Sequence, residues 1–188
     1  MRLVDLATGV CTPQAPLLHA RRNFAAARLP DGRVVCAGSL DLLSTAEAWG
    51  PPLQGAQDAA WTWKVLPPMS AGRLGCQGCV LSDGRFAIIG GSIFNSSDTS
   101  RTSSCEVLSF GDDGAWRSLP PMHDSRSMFV CAAVARCIIV AGGGGPHDRS
   151  AEIFDEELGR WLWFPCDLPR ADGLLGIGSA LLLKNQER

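Results

Sequence analysis

Cys76 and Cys79 form a Cys-x-x-Cys pair, one of the arrangements in this sequence that could carry out chemistry. Redox and zinc sites use this spacing on a turn or at a helix start, where both sulfurs can point in one direction. Here the pair lies in a predicted strand, and positions three apart in a strand face opposite sides of the sheet. Because the sequence has no second pair of this kind, we expect no metal site.

A glycine run from Gly142 to Gly145 is a second candidate, because glycine-rich loops can cradle phosphates. Such a cradle requires a helix N-terminus directly after the loop, with a Lys or acidic partner at a set distance. The segment Pro146-His147-Asp148 and the strand predicted after it do not supply these groups. We interpret the glycines as a sharp turn at the end of a strand, where the backbone adopts φ values that glycine tolerates best. We therefore expect no cofactor.

Arginine and glutamate each recur once in three successive stretches of the chain. The recurring residues are Arg22, Arg73 and Arg126, and Glu47, Glu106 and Glu152. One interpretation is internal ion pairing between loops and strands. The other is that the arginines line a pocket for an acidic peptide. With His147 and Arg149, which follow the glycine run, these arginines are the candidate binding residues; we identify no catalytic residue.

These residues belong to a repeat that must be recognised before any single motif is interpreted. The stretch from Pro67 to Gly91 recurs from Pro120 to Gly143, and more loosely from Leu17 to Ser39. A period of about 50 residues indicates an array of supersecondary units. His19 and His123 are assigned to matching places in two copies, where a solvated loop histidine and a ligand-binding histidine are both open interpretations.

Each copy is predicted to contain four antiparallel strands. Asp31-Gly32 and Asp83-Gly84 separate apolar runs and predict hairpins, because both turn residues can take positive φ. The third copy has Ala135-Arg136 at this place. The second strand of each copy is apolar at successive positions, which is typical of a strand with both faces covered. Four-stranded sheets that must cover one another's faces predict a β-propeller, so the fold class is all-β.

The order of motifs in the copies resembles the kelch repeat. The best copies read IIGG…SCEVLSF…AWRSLPPM and IVAGG…SAEIFDEELGRWLWFP, with Ala37-Gly38-Ser39 replacing the double glycine in the first copy. The resemblance implies a kelch-type β-propeller, partial or small, and the chain is similar to proteins that pair an F-box with kelch repeats. No F-box segment occurs in this chain.

The copies divide the chain into one kelch-repeat domain with three complete blades. The expected boundaries are the end of a blade at 1–18, blades at 19–66, 67–119 and 120–166, and the start of an incomplete blade at 167–188. Propellers usually close with about four to eight blades. Two explanations remain: the two end pieces combine into one blade, or the chain is a fragment of a longer propeller, which we prefer.

Composition limits the partners and the compartment. The net charge of −2 comes without a basic or acidic block, so we expect no nucleic-acid partner. The longest apolar run, Leu174 to Leu183, is too short to span a bilayer, and the N-terminus lacks the apolar core of a signal peptide. We therefore expect an intracellular protein of the cytoplasm or nucleus. Eight cysteines could form a disulfide framework, but we expect reduced thiols that fill small apolar sites.

The resemblance implies two classes of function. The first is a protein-binding module, such as the substrate-recruiting part of a ubiquitin-ligase adaptor whose other components attach through flanking regions. Its expected contact loops are Ser92 to Ser103 and Gly143 to Arg149, because loops on a rigid scaffold favour recognition. The alternative is sugar binding or a mutarotase-like enzyme on the same propeller. A copper radical oxidase of this fold needs tyrosine, which the chain lacks. We expect a protein that is not an enzyme.

Overall fold

The described residues of the chain, in a computed structural model, form β-strands joined by turns and loops. The structure describes residues 1–40, 44–51, 60–95, 98–110, 114–143 and 149–165. No helix occurs within these ranges, and none of the described chain could therefore cross a membrane as a helix. The all-β fold class is confirmed.

The strands form three four-stranded antiparallel sheets and two separate hairpins. Sheet I contains β3 (Ala25–Arg28), β4 (Val34–Ala37), β5 (Ala46–Gly50) and β6 (Thr62–Leu66). Sheet II contains β7 (Gln77–Val80), β8 (Phe86–Ile89), β11 (Cys105–Leu108) and β12 (Trp116–Leu119). Sheet III contains β13 (Val130–Val134), β14 (Cys137–Ala141), β15 (Ala151–Asp155) and β16 (Arg160–Trp163). In each sheet the four strands neighbour one another in chain order.

One hairpin precedes sheet I and the other is inserted in sheet II. The first pairs β1 (Arg2–Val4) with β2 (Cys11–Pro13), and the second pairs β9 (Ser92–Asn95) with β10 (Asp98–Arg101). Strand β1 ends at Val4, because the Asp5 carboxylate accepts the N–H groups of Ala7 and Thr8 and starts a turn. These backbone hydrogen bonds, with that of Thr8 first, also lower the pKa of Asp5.

The three sheets stack in chain order through their first strands. Strands β3 and β13 both contact β7, so β7 lies between them. One apolar cluster joins sheets I and II, and a second joins sheets II and III. All four residues of β8 are buried because sheet II has a neighbour on both faces. This arrangement confirms the prediction of mutually covered four-stranded sheets and is that of a partial kelch-type β-propeller.

The hairpin turns differ from the predicted geometry in sheets I and II. Neither Asp31 nor Asp83 has positive φ; the glycines that follow them do, at 92° for Gly32 and 86° for Gly84. The N–H of each glycine bonds the carbonyl three residues earlier, which makes a longer turn closed by a left-handed glycine. In sheet III, Ala135 and Arg136 both take positive φ, and Val134 pairs directly with Cys137. The two-residue turn therefore occurs in the copy without Asp-Gly.

Candidate functional site

A buried ion pair recurs at one end of every sheet. The Arg73 Nη2 atom lies 2.8 Å from Glu106 Oε1 in sheet II. The Arg126 Nη2 atom lies 3.0 Å from Glu152 Oε1 in sheet III. In sheet I the pair is formed by Arg21, whose Nε lies 2.7 Å from Glu47 Oε1. We call this end of the sheets, where the first strand begins and the second strand ends, the upper end.

Each arginine also donates hydrogen bonds to two backbone carbonyl oxygens of its own sheet. Arg73 Nη1 donates to the carbonyl oxygens of Gly90, at 3.0 Å, and Ser104, at 2.8 Å. These carbonyls lie directly after the second strand and directly before the third. Arg126 bonds Gly142 and Ser150 in the same way, and Arg21 bonds Gly38 and Thr45. Each guanidinium therefore connects the leading segment, the residues just before the first strand, to two other strands of its own sheet.

The glutamates complete the same connection with their second oxygen. Glu47 Oε2 accepts the backbone N–H of Leu18, Glu106 Oε2 that of Ser70, and Glu152 Oε2 that of His123. A buried carboxylate is tolerable only when its charge is paired and its lone pairs are occupied. The recurring Arg and Glu residues thus fit the scaffold interpretation by their geometry.

The structure corrects the first member of the arginine series. Arg21, and not Arg22, takes the position of Arg73 and Arg126. The equivalent residues two positions later, Asn23, Gly75 and Met128, all have positive φ, at 53°, 61° and 56°.

The assignment of matching histidines is wrong by the same single residue. Leu18 occupies the place of His123 because both donate their N–H to the second glutamate oxygen. The ring of His123 also stacks on Trp163 and bonds Glu152 through Nδ1, at 2.9 Å.

The candidate binding residues therefore differ from one another in their exposure to solvent. Arg73 and Arg126 are each only 1% exposed, so their guanidinium groups lie inside the scaffold. Arg22 and Arg149 are exposed at the upper end. His147 lies outside the described residues.

The Cys-x-x-Cys pair is divided between the two apolar clusters. Cys76 packs with residues of sheets I and II, whereas Cys79 packs with residues of sheets II and III. Burial raises the pKa of the Cys76 thiol to about 11. Cys131 hydrogen-bonds with Cys79, and this bond and burial raise the pKa of the Cys131 thiol well above its ordinary value. Within the described ranges, no three metal-ligating side chains converge.

The inserted hairpin lies at the upper end of sheet II. Ser92 exchanges both backbone hydrogen bonds with Leu74, and Arg126 N donates to Thr102 O. The base of the hairpin is therefore fixed between the leading segments of sheets II and III, while Thr99, Ser100 and Arg101 are exposed. The contact loop expected from the sequence at Ser92 to Ser103 therefore contains a paired hairpin, which the sequence pattern does not indicate.

Two clefts that were not predicted from the sequence lie among the described residues of the opposite, lower end. The larger, of about 470 Å³, lies between the turns of sheets I and II. Its walls include Arg33, which lies 4.5 Å over the Phe110 ring and pairs with Asp31. Arg85 lines this cleft and also a second one of about 290 Å³ between sheets II and III. The signal in the sequence was the tripeptide Asp-Gly-Arg, present at both turns.

Comparison with known proteins supports a kelch-like repeat. No family model matches the chain. The chain is 32% identical over 120 residues to an F-box/kelch-repeat protein of Arabidopsis thaliana, and this match covers 60% of the chain and 28% of that protein. It therefore spans less than a third of this relative's length.

Among solved structures, the chain resembles that of YjhT. The TM-score is 0.67 at 15% sequence identity, and the match covers 84% of this chain and 54% of YjhT. At this identity the similarity concerns the fold alone, and it agrees with a partial β-propeller.

Proposed function

We propose that the chain is a protein-binding module that contacts its partner through the upper-end loops. The observation that carries this proposal is the inserted hairpin, β9 and β10, whose base is hydrogen-bonded to two leading segments and whose residues Thr99, Ser100 and Arg101 are exposed. Variable loops held by a rigid scaffold are the usual location of recognition sites. Exposed Arg22, Arg101 and Arg149 at the same end favour a partner segment with acidic side chains.

The role proposed for this binding is substrate recruitment by a ubiquitin-ligase adaptor. Its support is the sequence similarity to an F-box/kelch-repeat protein, which covers 28% of that relative. We propose binding without catalysis, because the recurring Arg and Glu side chains that could act on a substrate are engaged with one another and with the backbone.

A peptide selection tests the binding role directly. The immobilised chain is screened against a random peptide display library, and the affinity of enriched peptides is measured by calorimetry. We expect acidic peptides to be enriched, and we expect the triple variant Arg22→Ala, Arg101→Ala, Arg149→Ala to bind them at least tenfold more weakly. Glu157→Ala, in the exposed turn after β15, is the matched control and should bind as the wild type does.

Two outcomes would contradict this proposal. One is the absence of any enriched peptide, and the other is equal binding by the triple variant and the wild type. The adaptor role has a separate test, in which complexes captured from cell extract with the wild-type chain are analysed by mass spectrometry. Overproduction of the chain in cells should raise the level of a captured substrate, because the chain competes with the complete ligase for it. An unchanged level and unchanged ubiquitination of the captured protein would support a binding module but reject the adaptor role.

The larger lower-end cleft supports a second candidate, the binding of a small polar molecule such as a sugar. Its volume of about 470 Å³ falls in the range of ligand pockets. Phe110 offers a ring, and Arg33 and Asp31 offer charged groups beside it. Titration with a panel of monosaccharides, followed by NMR, should shift resonances of Phe110 if this candidate is correct. Unchanged spectra at millimolar sugar would reject it.

A further inference from the structure

The two edges of the inserted hairpin differ in their backbone hydrogen bonds. In the pairing of β9 with β10, Ser92 lies opposite Arg101, and Ile93 lies opposite Ser100. On the side away from β10, Ser92 exchanges both backbone hydrogen bonds with Leu74, so the leading segment of sheet II closes that edge of the hairpin. We call the opposite edge, on the side of β10 away from β9, the outer edge of β10.

The backbone of Arg101 points to the outer edge of β10. In an antiparallel pair, successive residues direct their N–H and C=O groups alternately toward the partner strand and away from it. Thr102 N donates to Gly91 O in the register of the hairpin, so Thr102 bonds inward and Arg101 points outward. Ser92, across from Arg101, points outward on its own side in the same way. Within the described residues, no other backbone group bonds the N–H or C=O of Arg101.

The outer edge of β10 is accessible from solvent. By the same alternation, the backbone of Thr99 has the same direction as that of Arg101, and Thr99, Ser100 and Arg101 are all exposed. Exposed backbone donors and acceptors at a strand edge are a template for a further strand. A two-stranded hairpin is only marginally stable by itself, so a third strand on this edge also stabilises the hairpin.

Charge decides which kind of strand the outer edge of β10 accepts. A second copy of β10 would bring a second Arg101 to this edge, and like charges across a strand pair are destabilising. Arg22 and Arg149 are also exposed at the upper end. An extended segment with acidic side chains is therefore the occupant that the charges favour.

We propose that the partner binds by strand addition: an extended acidic segment lies along the outer edge of β10 and exchanges backbone hydrogen bonds with Arg101. The contact resembles the bridge between Ser92 and Leu74 on the other edge of the hairpin. This inference rests on the proposed binding function and adds how the partner is held. Backbone hydrogen bonds supply the attachment, and the acidic side chains beside the arginines supply the selectivity.

Hydrogen exchange measured by NMR tests the proposal on the unaltered chain. The probe is the acidic peptide that binds most tightly in the peptide selection. We expect the Arg101 amide to exchange about tenfold more slowly in the complex, because its N–H gains an acceptor. The Ser100 amide is the internal control: it already faces Ile93, so its exchange should slow by much less. Unchanged exchange at Arg101 in a saturated complex overturns the proposal.

Peptides methylated at one backbone nitrogen at a time supply a second measurement. Each methyl group removes one N–H donor, so affinity should fall about tenfold at alternate positions of the bound segment and change little at the positions between them. Arg101→Pro and Arg101→Ala make the same test on the protein. Both lose the charge, but only proline loses the outward N–H, and proline is tolerated at such an edge position. We expect the proline variant to bind the peptide several times more weakly than the alanine variant.

The outcomes separate strand addition from the proposed function. A peptide that requires the three arginines but tolerates methylation at every position supports the binding module and overturns strand addition. The absence of any enriched peptide overturns both. Equal binding by Arg101→Pro and Arg101→Ala, each with a cooperative unfolding transition like that of the wild type, also overturns strand addition. If Arg101→Pro loses this transition, the methylated peptides decide.

Discussion

Arg126 and Glu152 face each other inside the protein, with Nη2 and Oε1 3.0 Å apart and the two side chains 1% and 0% exposed. The charges are compensated on all sides: the guanidinium donates to two carbonyl oxygens, and the carboxylate accepts the N–H of His123. The same contacts recur in sheets I and II. The most conspicuous charged residues of the sequence thus hold each sheet together at its upper end.

Arg126→Met should destabilise the chain strongly. The substitution keeps an extended side chain but leaves the Glu152 carboxylate buried without its counter-charge. Breaking one partner of a buried pair costs about 3–5 kcal/mol. Urea denaturation followed by circular dichroism measures the change in the free energy of unfolding.

The control for this prediction is the exposed pair of Arg136 and Glu157, whose Nη1 and Oε1 lie 2.8 Å apart. Glu157→Gln should change the free energy of unfolding by less than about 1 kcal/mol, because water screens exposed pairs. Equal effects of Arg126→Met and Glu157→Gln would contradict the structural role of the buried pair.

Gly91→Ala should be more destabilising than Gly159→Ala. Both glycines have positive φ, at 101° and 62°, which costs a non-glycine residue about 1–3 kcal/mol. A Cβ on Gly91 would also lie 2.9 Å from the Cys76 Cβ and 2.9 Å from the Leu74 carbonyl oxygen, whereas nothing lies within 4 Å of one on Gly159. Thermal unfolding should therefore show a larger decrease in Tm for Gly91→Ala. Identical decreases would mean that backbone strain alone decides both.

Stability should fall as pH rises above about 9. In the unfolded chain a thiol ionises near its ordinary pKa of 9.0, whereas burial raises the pKa of Cys36 and of Cys105 to about 12 in the folded chain. Between these values the unfolded chain binds fewer protons, so each such thiol lowers the free energy of unfolding by about 1.4 kcal/mol per pH unit. Denaturation curves at pH 8, 9 and 10 measure the slope.

Cys105→Ala should make this alkaline slope shallower, although it also lowers the stability at pH 8 through the lost packing. Cys11→Ala, at an exposed position, should leave the slope of the wild type unchanged. A slope that is the same in all three proteins would show that other groups cause the alkaline loss.

Trp161→Phe should cost about 1–2 kcal/mol of unfolding free energy. The buried indole N–H of Trp161 donates to the carbonyl oxygen of Pro120 at 2.9 Å, and phenylalanine leaves that carbonyl without this bond. Trp163, two residues later in β16, is 49% exposed, so Trp163→Phe should cost less than about 0.5 kcal/mol. Urea denaturation of both variants checks the difference, and a larger effect at Trp163 would contradict it.

The repeat could be predicted from the sequence because its signals are local. Three features recur at similar intervals: an apolar second strand, glycines after that strand, and a Trp in the fourth strand. The apolar pattern of each strand indicates by itself that the strand is buried. Arg22 was assigned wrongly because the spacing between copies varies from 51 to 53 residues. In an irregular leading segment this variation allows the copies to be aligned one position apart. Only the contact between Arg21 and Glu47 decides which of two adjacent arginines is internal.

The inserted hairpin could not be predicted as strands because Ser92 to Arg101 contains four Ser and one each of Asn, Asp and Thr, without regular alternation of apolar residues. Its pairing is seen only once both strands are placed. The lower-end clefts likewise require residues from neighbouring sheets, which no interval along the chain brings together.

The sequence by itself determined that the chain is built of β-strands, that its repeat unit has four strands, and that the sheets must stack. These features depend on strand periodicity and turn residues, which act over a few positions of the chain. The tertiary structure decided which charges are internal and which surfaces remain open, because these depend on side chains that meet from distant parts of the chain. Burial of a charge is a property of everything packed around it. Arg73 and Arg22 are the same residue type in similar sequence contexts, yet one is enclosed and the other is exposed.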